Sequence, residues 1–175
     1  LLKELVSGLR PTDTFNILLF SGGSELLSDV PLTATTEHVE QGLSFLSRQY
    51  GGGGTELLPA LRRAFELPVD ATRSRSIVIV TDGYVSAEAE AFDLIRANAG
   101  KGHVFAFGIG TSVNRVLVEG LAHVGGGEPF VVTRPSDAPV IAGEFKTLIA
   151  NPMLTRATVS FEGFDAYDIE PPTIP

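Results

Sequence analysis

The sequence predicts an α/β fold, in which a doubly wound and mostly parallel sheet is covered by helices on both faces. Short apolar runs alternate with amphipathic stretches of about ten to fifteen residues, and this alternation is typical of repeated βαβ units. Several runs are apolar at successive positions, as parallel strands buried on both faces are. The chain has 175 residues, of which 43% are hydrophobic, which suits one domain with a substantial core.

The first half of the chain predicts three helices and two strands. The first helix ends before Pro11, and no capping residue precedes it, so we expect the sequence to begin inside a helical pattern as a fragment. Thr36 is expected to cap the second helix. The predicted helices cover residues 1–9, 36–50 and 57–65, and the predicted strands cover 15–20 and 25–27, the latter at an edge.

The second half continues the alternation. Its clearest strand is β-branched at almost every position, and Ser86 is expected to cap the helix that follows. The predicted strands cover 76–81, 104–107 and 130–132, and the predicted helices cover 86–97, 113–122 and 137–149. Residues 1–150 are therefore assigned to one domain. Residues 151–175 form a C-terminal extension with one strand at 156–162 and a proline-rich end.

The composition excludes several classes of function. The net charge is -8, which disfavours a nucleic-acid partner. No cysteine is present, so disulfides, thiolate metal sites and cysteine nucleophiles are excluded. No apolar run is long enough to span a bilayer, so no direct membrane segment is expected in this chain.

Two small oxygen-bearing side chains are expected at the carboxyl edge of the sheet, where open α/β sheets bind ligands. Thr55 follows the glycine run 51–54 and begins a helix, and Asp82 directly follows the strand 76–81. Hydroxyl and carboxylate oxygens suit Mg²⁺, which takes about six oxygen ligands and keeps several waters. The pair therefore predicts half of a divalent-cation site.

Each of these motifs also has an ordinary structural interpretation. Thr55 can cap a helix, and Asp82-Gly83 can form a turn. The glycine run lacks the lysine of a phosphate-binding loop, and Gly108-Ile109-Gly110 lacks the third glycine of a dinucleotide loop. The histidines have no metal-ligand spacing, and no Gly-x-Ser-x-Gly elbow supports a serine hydrolase.

Four motifs follow one another along residues 1–150. They are Phe15-Asn16-Ile17-Leu18-Leu19-Phe20-Ser21, Gly52-Gly53-Gly54-Thr55, Ile77-Val78-Ile79-Val80-Thr81-Asp82-Gly83 and Phe107-Gly108-Ile109-Gly110-Thr111-Ser112-Val113-Asn114-Arg115. Their order resembles that of a von Willebrand factor type A (VWA) domain, a Rossmann-like fold. The last motif is most similar to the branch of inter-alpha-trypsin inhibitor heavy chains and their bacterial relatives, and the tail 153–172 is also similar to the segment on the C-terminal side of the domain in that branch.

The resemblance implies a metal-ion-dependent adhesion site (MIDAS), in which a partner's carboxylate completes the shell of a divalent cation. Its threonine and aspartate ligands correspond to Thr55 and Asp82. The Asp-x-Ser-x-Ser loop that supplies the other ligands belongs before Leu1 and has no counterpart in this chain. We therefore expect Mg²⁺, Mn²⁺ or Ca²⁺ in the full-length parent and weak or absent binding here, because two protein ligands leave most of the shell to water.

The first strand of the VWA fold is central, and its absence is expected to leave a slot between strands 15–20 and 76–81. Unpaired backbone groups inside a core are costly. The strand at 156–162 is expected to fill this slot, in cis or as a strand-swapped homodimer. Alternatively, the parent's own first strand fills it.

The resemblance thus implies a non-enzymatic interaction or adhesion module with a protein partner. Two alternatives remain open, which are a structural assembly domain with a vestigial metal site and a metal-dependent hydrolase. A hydrolase needs a base and a nucleophile near Asp82, and Thr81, Tyr84 and Ser86 provide no evident pair. The compartment stays open, with an extracytoplasmic or membrane-associated parent preferred.

Overall fold

A computed structural model describes residues 1–20, 23–48, 56–82, 88–150 and 162–163 of the chain. The helices are α1 (Leu2–Ser7), α2 (Thr36–Ser47), α3 (Leu57–Glu66), α4 (Glu88–Ala97), α5 (Arg115–Val124) and α6 (Ala138–Ala150). The strands are β1 (Thr14–Phe15), β2 (Leu18–Phe20), β3 (Ser24–Leu26), β4 (Leu32–Thr33), β5 (Ser76–Thr81), β6 (His103–Ile109) and β7 (Pro129–Val132). None of the described helices is both long and apolar enough to cross a bilayer.

A parallel sheet of three strands, in the order β5-β6-β7, forms the centre of the domain. Each strand is followed by a helix, which returns the chain to the same starting edge, so the strands run in one direction. The central strand β6 is buried at its five inner positions. These are the continuous apolar runs that the sequence predicts, and the α/β fold class is confirmed.

Helices cover both faces of this sheet, as predicted. Successive residues of β6 point to opposite faces, so Val104 and Ala106 join one apolar cluster and Phe105 and Phe107 join the other. The first cluster includes buried residues of α3, α4 and α5, and the second includes Phe145 of α6 with partly buried residues of α1. The sheet therefore separates two cores that meet different helices.

The predicted strand 15–20 is wrong as a single element, because it divides at Asn16. The Asn16 side chain donates to the Ser28 carbonyl over 2.7 Å and accepts from the Ile17 backbone N–H over 2.9 Å. Such bonds from a side chain to the backbone compete with ladder pairing. The two halves pair separately and antiparallel, β1 with the unpredicted β4 and β2 with β3.

Helix boundaries differ from the predictions by up to three residues. Thr35 caps α2, and the prediction of Thr36 is wrong, because the Thr35 hydroxyl accepts from the His38 N–H over 3.2 Å. Asn114 caps α5 in the same way, so this helix begins two residues later than the predicted 113. The predicted Ser86 cap lies outside the described residues.

Strands β2 and β5 each have an open edge within the described part of the chain. β2 pairs only with β3 there, and β5 pairs only with β6. Helix α3 connects the two units, since Arg63 donates to the Ser24 carbonyl over 2.7 Å and Phe20 packs against the cluster that contains Ile79. The predicted slot lies between these two edges and stays a prediction. The strand predicted to fill it lies outside the described residues except for Glu162.

Candidate metal centre

The carboxyl ends of β5, β6 and β7 form one edge of the parallel sheet. Thr81 at the end of β5 is in register with Gly108, and Ile109 at the end of β6 is in register with Val132. Asp82 directly follows Thr81 and is exposed, whereas Thr81 is buried. The sequence-predicted aspartate therefore stands at the carboxyl edge, with its carboxylate accessible to solvent.

The loop 110–114 folds back over the end of β6, and Gly108 makes this close approach sterically feasible. A Cβ atom at residue 108 would lie 2.2 Å from Cγ1 of Val113 and 3.2 Å from Cγ2 of Val118. Val113 packs on the cluster beneath α5. The Gly110 N–H donates to the Val132 carbonyl over 2.9 Å, which ties this loop to β7.

Helix α5 begins at this same edge. The Asn114 side chain accepts from the Leu117 N–H over 3.1 Å and fixes the first turn. Leu117 and Val118 point into the core, while Arg115 and Val116 are exposed. The edge thus carries the positively charged Arg115 and the apolar Val116 close to the chain segment that follows β6.

The turn after β7 adds an ion pair to the edge. Arg134 Nε donates to Asp137 Oδ2 over 3.1 Å, and this hydrogen bond lowers the pKa of the Asp137 carboxyl below its ordinary value. The same contact raises the pKa of Arg134. Arg134 remains exposed, but its charge is balanced locally.

The described residues provide one of the two predicted metal ligands. Asp82 supplies a carboxylate at the expected edge, and Thr55 lies outside the described residues, as do Tyr84 and Ser86. Within the described part of the chain, no three His, Cys, Asp or Glu residues are grouped so that they could hold a metal ion. The carboxylate of Asp82 suits a hard divalent cation, but one carboxylate supplies only a small part of the cation's coordination shell.

The family model of the von Willebrand factor type A domain matches residues 1–129. The chain belongs to this family. A mouse inter-alpha-trypsin inhibitor heavy chain 4 is 28% identical over 174 residues, covering 92% of the chain and 18% of the relative. A VWA domain-containing protein of Dictyostelium discoideum is 35% identical over 133 residues, covering 72% of the chain and 6% of the relative. The sequence-based recognition is confirmed, and the chain spans a small part of each relative.

Solved structures of VWA proteins share the fold. A VWA protein from Catenulispora acidiphila has a TM-score of 0.71 at 18% identity and covers 82% of this chain and 35% of its own. An aerotolerance-related membrane protein from Bacteroides fragilis has a TM-score of 0.70 at 17% identity, covering 86% and 85%. Proximal thread matrix protein 1 of the mussel byssus, with a zinc-occupied MIDAS motif, has a TM-score of 0.66 at 14% identity, covering 82% and 37%.

Sequence reasoning missed the exposed side chains that share this edge with Asp82. It treated Arg115 only as part of a family motif and gave no role to Val116 or Arg134. One signal was available, because an arginine in the first turn of a predicted helix opposes the positive helix end. The role of Gly108 was not accessible from sequence, since it depends on where Val113 packs.

Proposed function

We propose that this chain is a non-enzymatic interaction module that binds a protein partner through a divalent cation at the carboxyl edge of its sheet. Thr55 and Asp82 are the proposed ligands, and a carboxylate of the partner completes the shell. The observation that carries the proposal is the exposed Asp82 directly after β5, in a chain that belongs to the VWA family. The zinc-occupied MIDAS motif of the mussel structure supports a divalent cation at such an edge.

The proposed cation is Mg²⁺, with Mn²⁺ or Ca²⁺ as substitutes, and its binding to this chain alone is proposed to be weak. Two protein oxygens of about six positions leave most of the shell to water. The complete site needs further oxygen ligands, which an Asp-x-Ser-x-Ser strand would supply in a longer protein. The proposed parent is extracytoplasmic or membrane-associated, which the similarity to the membrane protein of Bacteroides fragilis supports.

Manganese binding tests this proposal directly. We expect weak Mn²⁺ binding by the 175-residue chain and much tighter binding after an N-terminal strand with Asp-x-Ser-x-Ser is added. Asp82→Ala or Thr55→Ala in the extended protein should weaken binding more than the about 10–100-fold that loss of an outer-shell partner costs. Isothermal titration calorimetry and electron paramagnetic resonance measure the affinity.

Asp93→Ala is the matched control, because Asp93 is an exposed aspartate on α4 whose ion pair with Arg96 has no proposed ligand role. Equal Mn²⁺ affinity of the Asp82 and Asp93 variants in the extended protein would contradict the proposed site. Failure of the extended protein to bind Mn²⁺ would favour the structural assembly role, in which the metal site is vestigial.

A second copy of this chain is a further proposed partner, through the open edge of β5. This strand is Ile77-Val78-Ile79-Val80 at its centre and lacks the charges and prolines that usually protect edge strands. The proposed occupant is the segment 156–162, in cis or swapped between copies. Size-exclusion chromatography with light scattering should then show a dimer for the swapped form, and lysine at Val159 and Phe161 should abolish it.

Hydrogen exchange, combined with the oligomeric state, distinguishes occupation of the β5 edge in cis from the strand-swapped dimer. The alternate β5 amides that point away from β6 should exchange as slowly as β6 amides if a strand covers the edge. A monomer at high concentration with fast exchange at these β5 amides and at 156–162 would contradict both forms. Slow exchange in a monomer would instead support occupation in cis.

A further inference from the structure

The carboxyl edge carries a second group of exposed side chains beside Asp82. We call Thr111, Ser112, Arg115, Val116 and Arg134 the rim patch. The first two lie on the loop after β6, the next two on the first turn of α5, and the last on the turn after β7. None of them takes part in the proposed cation site.

The register of the sheet places the rim patch and Asp82 on the same edge. Thr81 lies opposite Gly108, Ile109 lies opposite Val132, and the Gly110 N–H bonds to the Val132 carbonyl over 2.9 Å. Neighbouring strands are about 4.8 Å apart, so the three strand ends span about 10 Å. An extended peptide covers this width with about three residues, at about 3.3 Å each.

The guanidinium of Arg115 forms no ion pair within the described part of the chain. Arg115 is exposed and makes no hydrogen bond or ion pair with the described residues, and the acidic residue nearest to it along α5, Glu119, lies one turn further on and is itself exposed. A cation at the first position of a helix opposes the helix dipole, and no pair with Glu119 offsets that cost. Arg134 differs, because Asp137 pairs with it.

Val116 adds apolar surface directly beside this charge. It is 70% exposed, which is more than any other large apolar side chain in the described part. A single exposed valine is ordinary on a protein surface. Val116 lies next to an unpaired arginine on the edge that carries Asp82, and protein interfaces are enriched in arginine and are more apolar at their centre.

We propose that the rim patch binds a second, acidic side chain of the same partner segment, with an apolar residue next to it. This inference rests on the proposed function, in which a first carboxylate reaches the cation at Asp82. The second carboxylate pairs with Arg115, and the apolar side chain covers Val116. Because the chain has a net charge of -8, an acidic side chain needs a local cation to bind, and the unpaired Arg115 supplies one at this edge.

The test uses the 175-residue chain, because the contact with Arg115 needs no metal. The probes are the capped peptides Asp-Gly-Leu-Glu and Asp-Gly-Leu-Gln, titrated by NMR with amide shifts as the readout. We expect the first peptide to shift amides at 111–116 and to bind more tightly than the second, with a difference that shrinks as salt increases. Arg115→Gln should remove this difference and weaken the first peptide about two- to fivefold, as exposed charge pairs do.

Matched controls exist for both side chains. Arg62→Gln removes the same charge from an exposed position on α3, and Val140→Ala truncates a 64%-exposed valine on α6. Both should leave peptide affinity unchanged, whereas Val116→Ala should lower it. Equal effects of Arg115→Gln and Arg62→Gln, or equal binding of inorganic phosphate and the acidic peptide, would overturn the inference.

Repeating the titration on the chain with the added Asp-x-Ser-x-Ser strand, with and without magnesium chloride, separates this inference from the proposed function. Peptide binding that requires Mg²⁺ and Asp82 but is unchanged by Arg115→Gln overturns only the inference about the rim patch. Peptide binding that depends on Arg115 but never responds to Mg²⁺ or to Asp82→Asn overturns the cation-mediated function and supports the charge contact.

Discussion

Replacing Phe107 by alanine is expected to lower the free energy of unfolding by about 3–5 kcal/mol, the usual cost of removing a buried aromatic ring. Phe107 lies in the centre of β6 and has no exposed surface. Its ring stacks on Phe130 of the neighbouring strand at a centroid distance of 4.6 Å and meets the edge of Phe145 of α6 at 5.4 Å. The substitution therefore removes contacts between two strands and the helix that covers them.

Urea unfolding followed by far-ultraviolet circular dichroism measures this loss, provided that the transition is two-state. The control is Val116→Ala, which truncates a side chain that is 70% exposed and should change stability by less than about 0.5 kcal/mol. A loss at Phe107 no greater than at Val116 would contradict the packing of α6 against this face of the sheet.

The elements that sequence predicted best are those whose own residues decide the structure. β5 matches the predicted 76–81, because β-branched residues at successive positions suit a buried parallel strand and little else. The helices with a wide apolar stripe, such as α3, lie where the stripe predicts them. In these segments the intrinsic preference of the residues and their burial favour the same element, so the sequence alone predicted it.

The failures share a different cause, because each depends on a hydrogen bond between particular groups. The predicted strand 15–20 divides because the Asn16 side chain bonds to Ser28, which a pattern of apolar residues does not reveal. Thr35 and Thr36 are both good capping residues, and Thr35 is the one with the extended backbone of a capping residue, at φ -68° and ψ 158°.

The candidate site likewise combines a feature that the sequence predicts with features that it does not reveal. The position of Asp82 at the carboxyl edge follows from one strand and its direction, and the structure places it there. Its role as a metal ligand stays a prediction, as does that of Thr55, which lies outside the described residues. The rim patch was missed because it brings together residues that follow β6 and β7, and the register of these strands with β5 places them on the edge that carries Asp82.

Replacing Gly108 by valine is expected to destabilise the domain and to displace the loop that carries two of the five rim-patch residues. Even a Cβ atom at residue 108 would lie 2.2 Å from Cγ1 of Val113, so Val113 must leave its place on the core. Overpacking of this kind costs about 1–3 kcal/mol. Because the chain from 110 to 114 leads directly into α5, the displacement should also weaken binding of the acidic peptide.

Two further experiments distinguish the steric clash with Val113 from the general effect of replacing a glycine. Gly143→Ala on α6 adds a Cβ into open space and should stabilise the helix by up to about 1 kcal/mol. The pair Gly108→Ala and Val113→Ala tests the specific contact, because removing the valine methyl groups should offset part of the cost of the new Cβ. Strict additivity of these two substitutions in urea unfolding would contradict the contact. A favourable coupling, with peptide binding partly restored, would show that the end of β6 positions the rim through Gly108.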